Sequence, residues 1–484
     1  MVRSTIFGWL VISLLLAGCH AGGNPRRVQV SENQPPKLAL RRANSLPILI
    51  KQQVQPEILP VSHSQNSNPI VPEVIAEVAP QPIQGELSLT ELIANVESRN
   101  PSLQAMQAAW QAAAQRYPQV VALDDPMLMA MSAPGSIHSS QVENAYVLQV
   151  GQKLPWYGKR SDRGLIASNE ADAAFHEVGD SRLQIALVVQ TAYYEYYLAH
   201  KLLALNTDNR QLLESFRETA QAKYRTNQVT QQDVLQADVE LAELERRRLE
   251  LDRMKKISIA RINTLLLQPP TNHLPSPTQQ LPPAPPSVPP EQLLALAVSS
   301  RPDLAALAHR VQSDEAALSL AYRQFYPDAE FFGRSDSFWQ PAATQSPLRG
   351  QVGVNFNMPI YRKKLNAAVC EAQFRLQKRR AEYQQRLAEI DYEVQSAWEQ
   401  AEESRKSLAL YENSLASIAQ QNVAAARVNY EVGKMSFLEL AQTMRQQIQV
   451  REKQQESLVA YHRRLAELTR VVGQAAVQST TISE

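Results

Sequence analysis

Two cysteines in 484 residues, Cys19 and Cys370, cannot build the disulfide framework on which small secreted domains depend. Neither charge is in excess: Lys plus Arg number 49 and Asp plus Glu 48. Nothing therefore points to nucleic acid or to a strongly acidic substrate. Glycine is scarce at 15 residues, and Ala, Gln, Leu, Glu and Arg are abundant, a composition that favours long helices. Beyond the amino terminus no run of 18 apolar residues occurs, so the rest of the chain holds no transmembrane helix. A membrane crossing would have to be made by strands in a closed barrel. The eight histidines are scattered and show no metal-ligand spacing. His-Glu-x-x-His, the phosphate loop, the dinucleotide glycine pattern and Gly-x-Ser-x-Gly are all missing. The acidic pair Asp124-Asp125 precedes Pro126 and reads as a turn and cap. No catalytic residue, cofactor or metal is expected. Cys370, in a helical stretch, reads as a small apolar side chain.

Cys19 is different. Arg3 and the apolar run Ile6 to Leu16 read as a signal peptide over residues 1–18, too short to span a hydrocarbon core ~30 Å thick. Leu16-Ala17-Gly18-Cys19 matches the bacterial lipoprotein cleavage box. That resemblance implies cleavage before Cys19 and acylation of its sulfur and new amino group. His20 stands where an Asp would signal inner-membrane retention, which favours the outer membrane.

Proline is unevenly spread. Ten prolines fall between Ala21 and Glu86, making residues 19–86 a tether from the lipid anchor. Ten more fall in residues 268–291, an extended and fairly stiff connector. Around that connector the chain repeats itself, residues 87–267 against 292–473, with 474–484 as a tail. Asn100-Pro101-Ser102-Leu103 recurs as Arg301-Pro302-Asp303-Leu304, and each proline is followed 25 residues later by another, Pro126 and Pro327. Gln149-Val150-Gly151 recurs as Gln351-Val352-Gly353, and Pro155-Trp156-Tyr157 is echoed by Pro359-Ile360-Tyr361. Tyr224-Arg225-Thr226-Asn227 is echoed by Tyr430-Glu431-Val432-Gly433. Each half reads helix, two strands, long helix, helix. Expected helices in the first half are Pro101 to Asp125, bent at Pro118, Lys159 to Arg225, crossing the weak breakers Gly164 and Gly179, and Gln228 to Leu267. Those of the second half are Pro302 to Tyr326, Arg362 to Val432 and Lys434 to Val472. Val234, Ala237, Leu241 and Leu244, and Leu458, Tyr461, Leu465, Leu468 and Val472, have the spacing of antiparallel coiled-coil packing.

The strands carry more information. Over Gln351 to Met358, Val352, Val354, Phe356 and Met358 point one way, and Gln351, Gly353, Asn355 and Asn357 the other. One apolar face and one Asn/Gln/Gly face suit a barrel with lipid outside and water inside; a half-buried strand of a soluble sheet shows the same alternation. The first-half partner, Ala145 to Leu154, alternates less cleanly. The expected hairpins are Met127 to Leu154 and Asp328 to Met358. Four strands cannot close a membrane barrel, since known ones start at about eight. Three copies would supply twelve strands, two copies eight.

The duplicated order, the Asn-Pro and Arg-Pro starts, and the segments Tyr430 to Leu440 and Tyr224 to Val234 together resemble the TolC outer-membrane efflux family. The resemblance covers Leu87 to Gly473. It implies a mainly α fold with a small β part: long coiled-coil hairpins, four strands per protomer, and a trimer with a twelve-stranded barrel on a helical tunnel. It implies a passive conduit in the outer membrane, a periplasmic adaptor protein and an inner-membrane pump as partners, and no enzymatic activity. The two Tyr segments would form the periplasmic tips, with Asn227 and Gly433 at positive φ; the first tip departs from the family's glycine. The family narrows its closed entrance with acids after the second tip. Glu439 keeps the first of these, Gln442 does not keep the second, and Asp233 is the first-half counterpart. Three Glu439 carboxylates in a ring would attract cations and repel anions. The competing expectation is a lipid-anchored periplasmic coiled coil without a pore.

Overall fold

Each half of the body is launched by a proline at the first turn of a helix. The computed structural model describes residues 85–132, 134, 146–281, 288–337 and 350–473. The signal peptide, Cys19, nearly all of the tether and the 474–484 tail lie outside the described residues. Helix α2 (Pro101–Ala114) is capped by Asn100, whose side-chain oxygen accepts from the N–H groups of Ser102 at 2.9 Å and Leu103 at 3.2 Å. Pro101 occupies N1, where a missing N–H costs nothing. In the second half Pro302 opens α7 (Pro302–Arg323), and Asp303 Oδ1 accepts from the Leu304 N–H at 2.9 Å.

The bend expected at Pro118 is present. Helix α2 ends at Ala114, the carbonyl a proline at 118 would strike, and α3 (Arg116–Val121) continues after Gln115. Helix α7 has no such proline and runs unbroken for 22 residues. Two helices of 11 residues were not expected: α1 (Leu89–Arg99) and α6 (Pro290–Ser300), just before the two proline starts. Each buries only two residues, Leu92 and Val96, or Leu293 and Ala297. One apolar pair is too little periodicity to read from sequence.

Helix α4 runs from Lys159 to Arg225, 67 residues, uninterrupted by Gly164 or Gly179. At 1.5 Å per residue it is ~100 Å long. A five-residue turn returns the chain as α5 (Gln231–Leu265). The second long helix is α8 (Arg362–Leu410), continued through a π turn (Tyr411–Leu415) into α9 (Ala416–Glu431), and α10 (Phe437–Val472) returns from it. The π turn has no Pro or Gly to announce it. Cys370, read above as a small apolar residue, is exposed on α8.

The apolar interior is strung out along these helices. One cluster near the tips joins Leu213, Phe216 and Leu244 to Tyr430, Phe437 and Met444. A second, at the waist, gathers Leu92, Val189, Tyr193, Tyr196 and Ile262. A third joins Leu293 and Leu304 to Ile390, Val394 and Leu468. The proline connector is pinned to the waist: Tyr196 Oη donates to the Pro275 carbonyl at 3.0 Å, and the Leu87 N–H to that of Ser276 at 2.8 Å. Four strands, β1 (Met127–Ser132), β2 (Tyr146–Leu154), β3 (Ala329–Ser337) and β4 (Gly350–Phe356), form one antiparallel sheet in that order.

Candidate functional site

The sheet has two chemically different faces. Residues directly opposite across an antiparallel ladder share a face. The register aligns Leu128, Val150, Gly333 and Val352, and two residues further along each strand Gln152, Phe331 and Val354. Leu148, Leu154 and Phe356 fall on this same face. Leu128, Leu148, Val150, Phe331, Val352, Val354 and Phe356 are all exposed, Val352 at 92 %. The opposite face carries Gln149, Lys153, Glu330, Arg334, Asp336, Gln351 and Asn355, together with Met127, Met129, Met131 and Phe332. Its polar groups are tied together, Arg334 to Asp336 at 2.9 Å and Gln351 to Asp336 at 3.3 Å. Val352, Val354 and Phe356 thus stand where the alternation put them. Met358 does not belong to the strand: β4 ends at Phe356, so Met358 is exposed connector. The ladder closes just past Phe356, where Asn357 donates its N–H to the Asp328 carbonyl and accepts the Asp328 N–H on Oδ1.

Within the chain β1 and β4 each pair on one side only. An exposed apolar face bounded by two free edges is costly in water, because the unpaired backbone recruits other strands.

A buried joint that sequence inspection missed fastens the sheet to the helices. Lys159, the first residue of α4, is 1 % exposed. Its Nζ lies 2.8 Å from Asp328 Oδ1 and 2.8 Å from the Tyr326 carbonyl. Asp328 Oδ1 also accepts the Trp156 N–H at 2.8 Å, and the Trp156 and Tyr326 rings stack at 5.4 Å. Lys159 and the Trp156 N–H hold the Asp328 carboxyl below the usual carboxylate range, against the opposing effect of burial. Gly158 takes φ 85°, and a Cβ there would strike the Arg323 guanidinium, which pairs with Asp162 at 2.7 Å. The tripeptides preceding Gly158 and Asp328, both rich in aromatics and proline, were the available signal.

At the far end the two turns have the same backbone. Asn227 has φ 55° and Gly433 φ 74°. In each, the next residue's N–H reaches back five residues, Gln228 to the Lys223 carbonyl and Lys434 to that of Asn429, both at 2.9 Å. These are Schellman turns, so the missing glycine at the first tip does not change its shape. Lys223 joins the tips: its Nζ donates to the carbonyls of Tyr430 at 2.6 Å and Glu431 at 2.9 Å, and lies 4.5 Å from the Tyr430 ring centre. A cation at a helix C-terminus is favourable. Gly433 meets nothing where a Cβ would sit, so any substitution cost there is conformational. Gly433→Val is expected to lower stability by at least ~1–2 kcal/mol, and Asn227→Gly to change it by only a few tenths, as read from thermal-unfolding midpoints.

Glu439 accepts the N–H and Oγ–H of Ser436, both at 3.0 Å, while its own N–H donates to Ser436 Oγ at 3.3 Å. This is a capping box, and the bonds from Ser436 hold its carboxyl below the usual range. Gln442 is exposed and Asp233 half-buried. Burial raises the Asp233 carboxyl above its ordinary value, opposed by its bond with Thr230 and the charge of Lys223. Among the described residues no cluster of His, Cys, Asp and Glu is arranged to hold a metal, and no helix is long and apolar enough to cross a membrane.

Residues 293–474 match the model of the outer membrane efflux protein family. No curated protein matches the chain. Several solved structures share its fold. The outer membrane protein VceC from Vibrio cholerae is 18 % identical, with a TM-score of 0.64 over 80 % of this chain and 96 % of that one. The open state of the MtrE outer membrane channel of Neisseria gonorrhoeae is 17 % identical, TM-score 0.63, over 80 % and 89 %. The CmeC outer membrane channel of Campylobacter jejuni is 15 % identical, TM-score 0.59, over 80 % and 85 %.

Proposed function

Because the second half of the chain, residues 293–474, belongs to the outer membrane efflux protein family, we propose that three copies form a passive conduit from the periplasm through the outer membrane. The observation that carries this reading is the four-stranded sheet with an exposed apolar face, a polar face and two free edges. Backbone groups in lipid must all be paired, so the edges close against those of sister copies and three sheets make a twelve-stranded barrel. The face of Val352, Val354 and Phe356 meets lipid, and that of Gln149, Arg334 and Gln351 lines the water-filled bore. Exposed apolar residues on α5 (Leu235, Val239, Ile257) and on α8 and α9 (Phe374, Ile418, Val428) supply contacts between copies, so that the ~100 Å helices wall a tunnel.

The tips at Asn227 and Gly433 meet a periplasmic adaptor, itself joined to an inner-membrane pump. Acylated Cys19 adds a lipid anchor. Glu439, held ionised by its cap, gives a negative ring near the entrance when three copies assemble, with Gln442 and Asp233 beside it contributing less charge.

Purified protein in detergent is expected to run as a trimer and to give stepwise conductance in planar bilayers. Cys19→Ala is expected to stay in the membrane after alkaline extraction. A monomer soluble without detergent and silent in bilayers, or release of Cys19→Ala from the membrane, would instead mark a tethered coiled coil.

A further inference from the structure

A recess of about 670 Å³ opens at the waist between α4, the π turn, α10 and the connector after α5. That is the size of a small-molecule site, roughly 300–1,000 Å³. Its wall keeps groups that the chain does not satisfy.

His462, on α10, lines the recess and is only 4 % exposed, yet its Nε2 has no hydrogen-bond partner. Burial pushes the imidazole down to about 4, so it is neutral at neutral pH. Leaving such a buried atom unpaired costs roughly 1–3 kcal/mol. Two carboxylates face the same space, Asp208 from α4 and Glu412 from the π turn. Among the described residues neither forms an ion pair or a hydrogen bond. Glu412 lies within the five-residue π turn of an otherwise α-helical rod, and such insertions recur at functional sites. The flank is apolar: the Tyr197 ring and Leu281 both line it. Lys201 is the wall's one cation, and its ammonium lies 5.5 Å from the centre of the Tyr197 ring.

We propose that this recess binds an organic cation with an apolar body. The charge sits between Asp208 and Glu412, and the body packs on Tyr197 and Leu281 beside the neutral His462 ring. A cation over an aromatic face and near two unpaired carboxylates is favoured electrostatically. The site needs only the folded waist, so it stands or falls separately from the conduit.

The test uses full-length protein in detergent and two probes of the same shape and opposite charge, tetraphenylphosphonium and tetraphenylborate, in equilibrium dialysis. The phosphonium is expected to bind saturably, one per chain, and the borate not to saturate. The double variant Asp208→Asn with Glu412→Gln is expected to weaken phosphonium binding at least tenfold. Ala204→Trp, which fills the recess and leaves its charges in place, is expected to weaken it as much, so the test survives if the charge variant fails to fold. Absence of saturable phosphonium binding, equal binding of the borate, or unchanged binding in either folded variant would overturn the proposal.

Discussion

Val352→Arg is expected to keep the protein out of the outer membrane. Val352 is 92 % exposed, and its row crosses the middle of the sheet: Val150 and Gly333 beside it are each the fifth residue of a nine-residue strand. An arginine on the lipid face of a barrel costs ~2–4 kcal/mol near the midplane and little at the interfaces. Three copies carry the charge three times, so a trimer would lose ~6–12 kcal/mol. That is of the order of a whole domain's stability. The paired control is Gln351→Arg, one residue away and on the opposite face. It joins Arg334 on the polar face, which in the proposed barrel meets water, and is expected to insert normally. The comparison is read from the membrane-bound fraction after alkaline washing and from the yield of detergent-stable trimer. Equal behaviour of the two variants would mean that the faces are not lipid and water, and the barrel would be lost with that distinction.

Periodicity and punctuation were legible in the sequence. Helix α4 was bounded correctly from Lys159 to Arg225 because a 67-residue run without proline ends in a Tyr segment with turn residues. The strand faces were legible because a period of two fixes the side of every residue once a single one is placed. Positive φ at Asn227 and Gly433 followed from the two residue types that tolerate it. Contacts across the chain were not legible. Lys159 and Asp328 lie 169 residues apart, and each is an ordinary charged residue locally. The π turn left no mark because no special residue type is needed to make one. Glu439 carries two signals at once. Ser436-x-x-Glu439 is a capping-box signature, and the same carboxylate is the acid that a ring at the entrance would use. The carboxylate is engaged by Ser436, and any charge it offers a passing ion is offered from that cap.

Lys159→Met is expected to loosen the attachment of sheet to helices by ~3–5 kcal/mol, the usual cost of removing one partner from a buried ion pair. The position is informative because a lysine at the first turn of a helix opposes the helix dipole. Something must compensate, and Asp328 Oδ1 at 2.8 Å and the Tyr326 carbonyl at 2.8 Å do so. Methionine fits the same slot but leaves the Asp328 carboxylate with the Trp156 N–H and only the weaker charge of Lys153. Adding Asp328→Asn to Lys159→Met removes the stranded charge, and the amide oxygen still accepts the Trp156 N–H. The double variant is therefore expected to recover at least half of the loss, a coupling that a double-mutant cycle isolates for residues in contact. Thermal unfolding of the helices and survival of the trimer in detergent, measured on the same samples, report the joint directly. A single variant within ~1 kcal/mol of the parent, inside the range of an exposed pair, would show that ring stacking of Trp156 on Tyr326 and the Arg323–Asp162 pair hold the joint without Lys159.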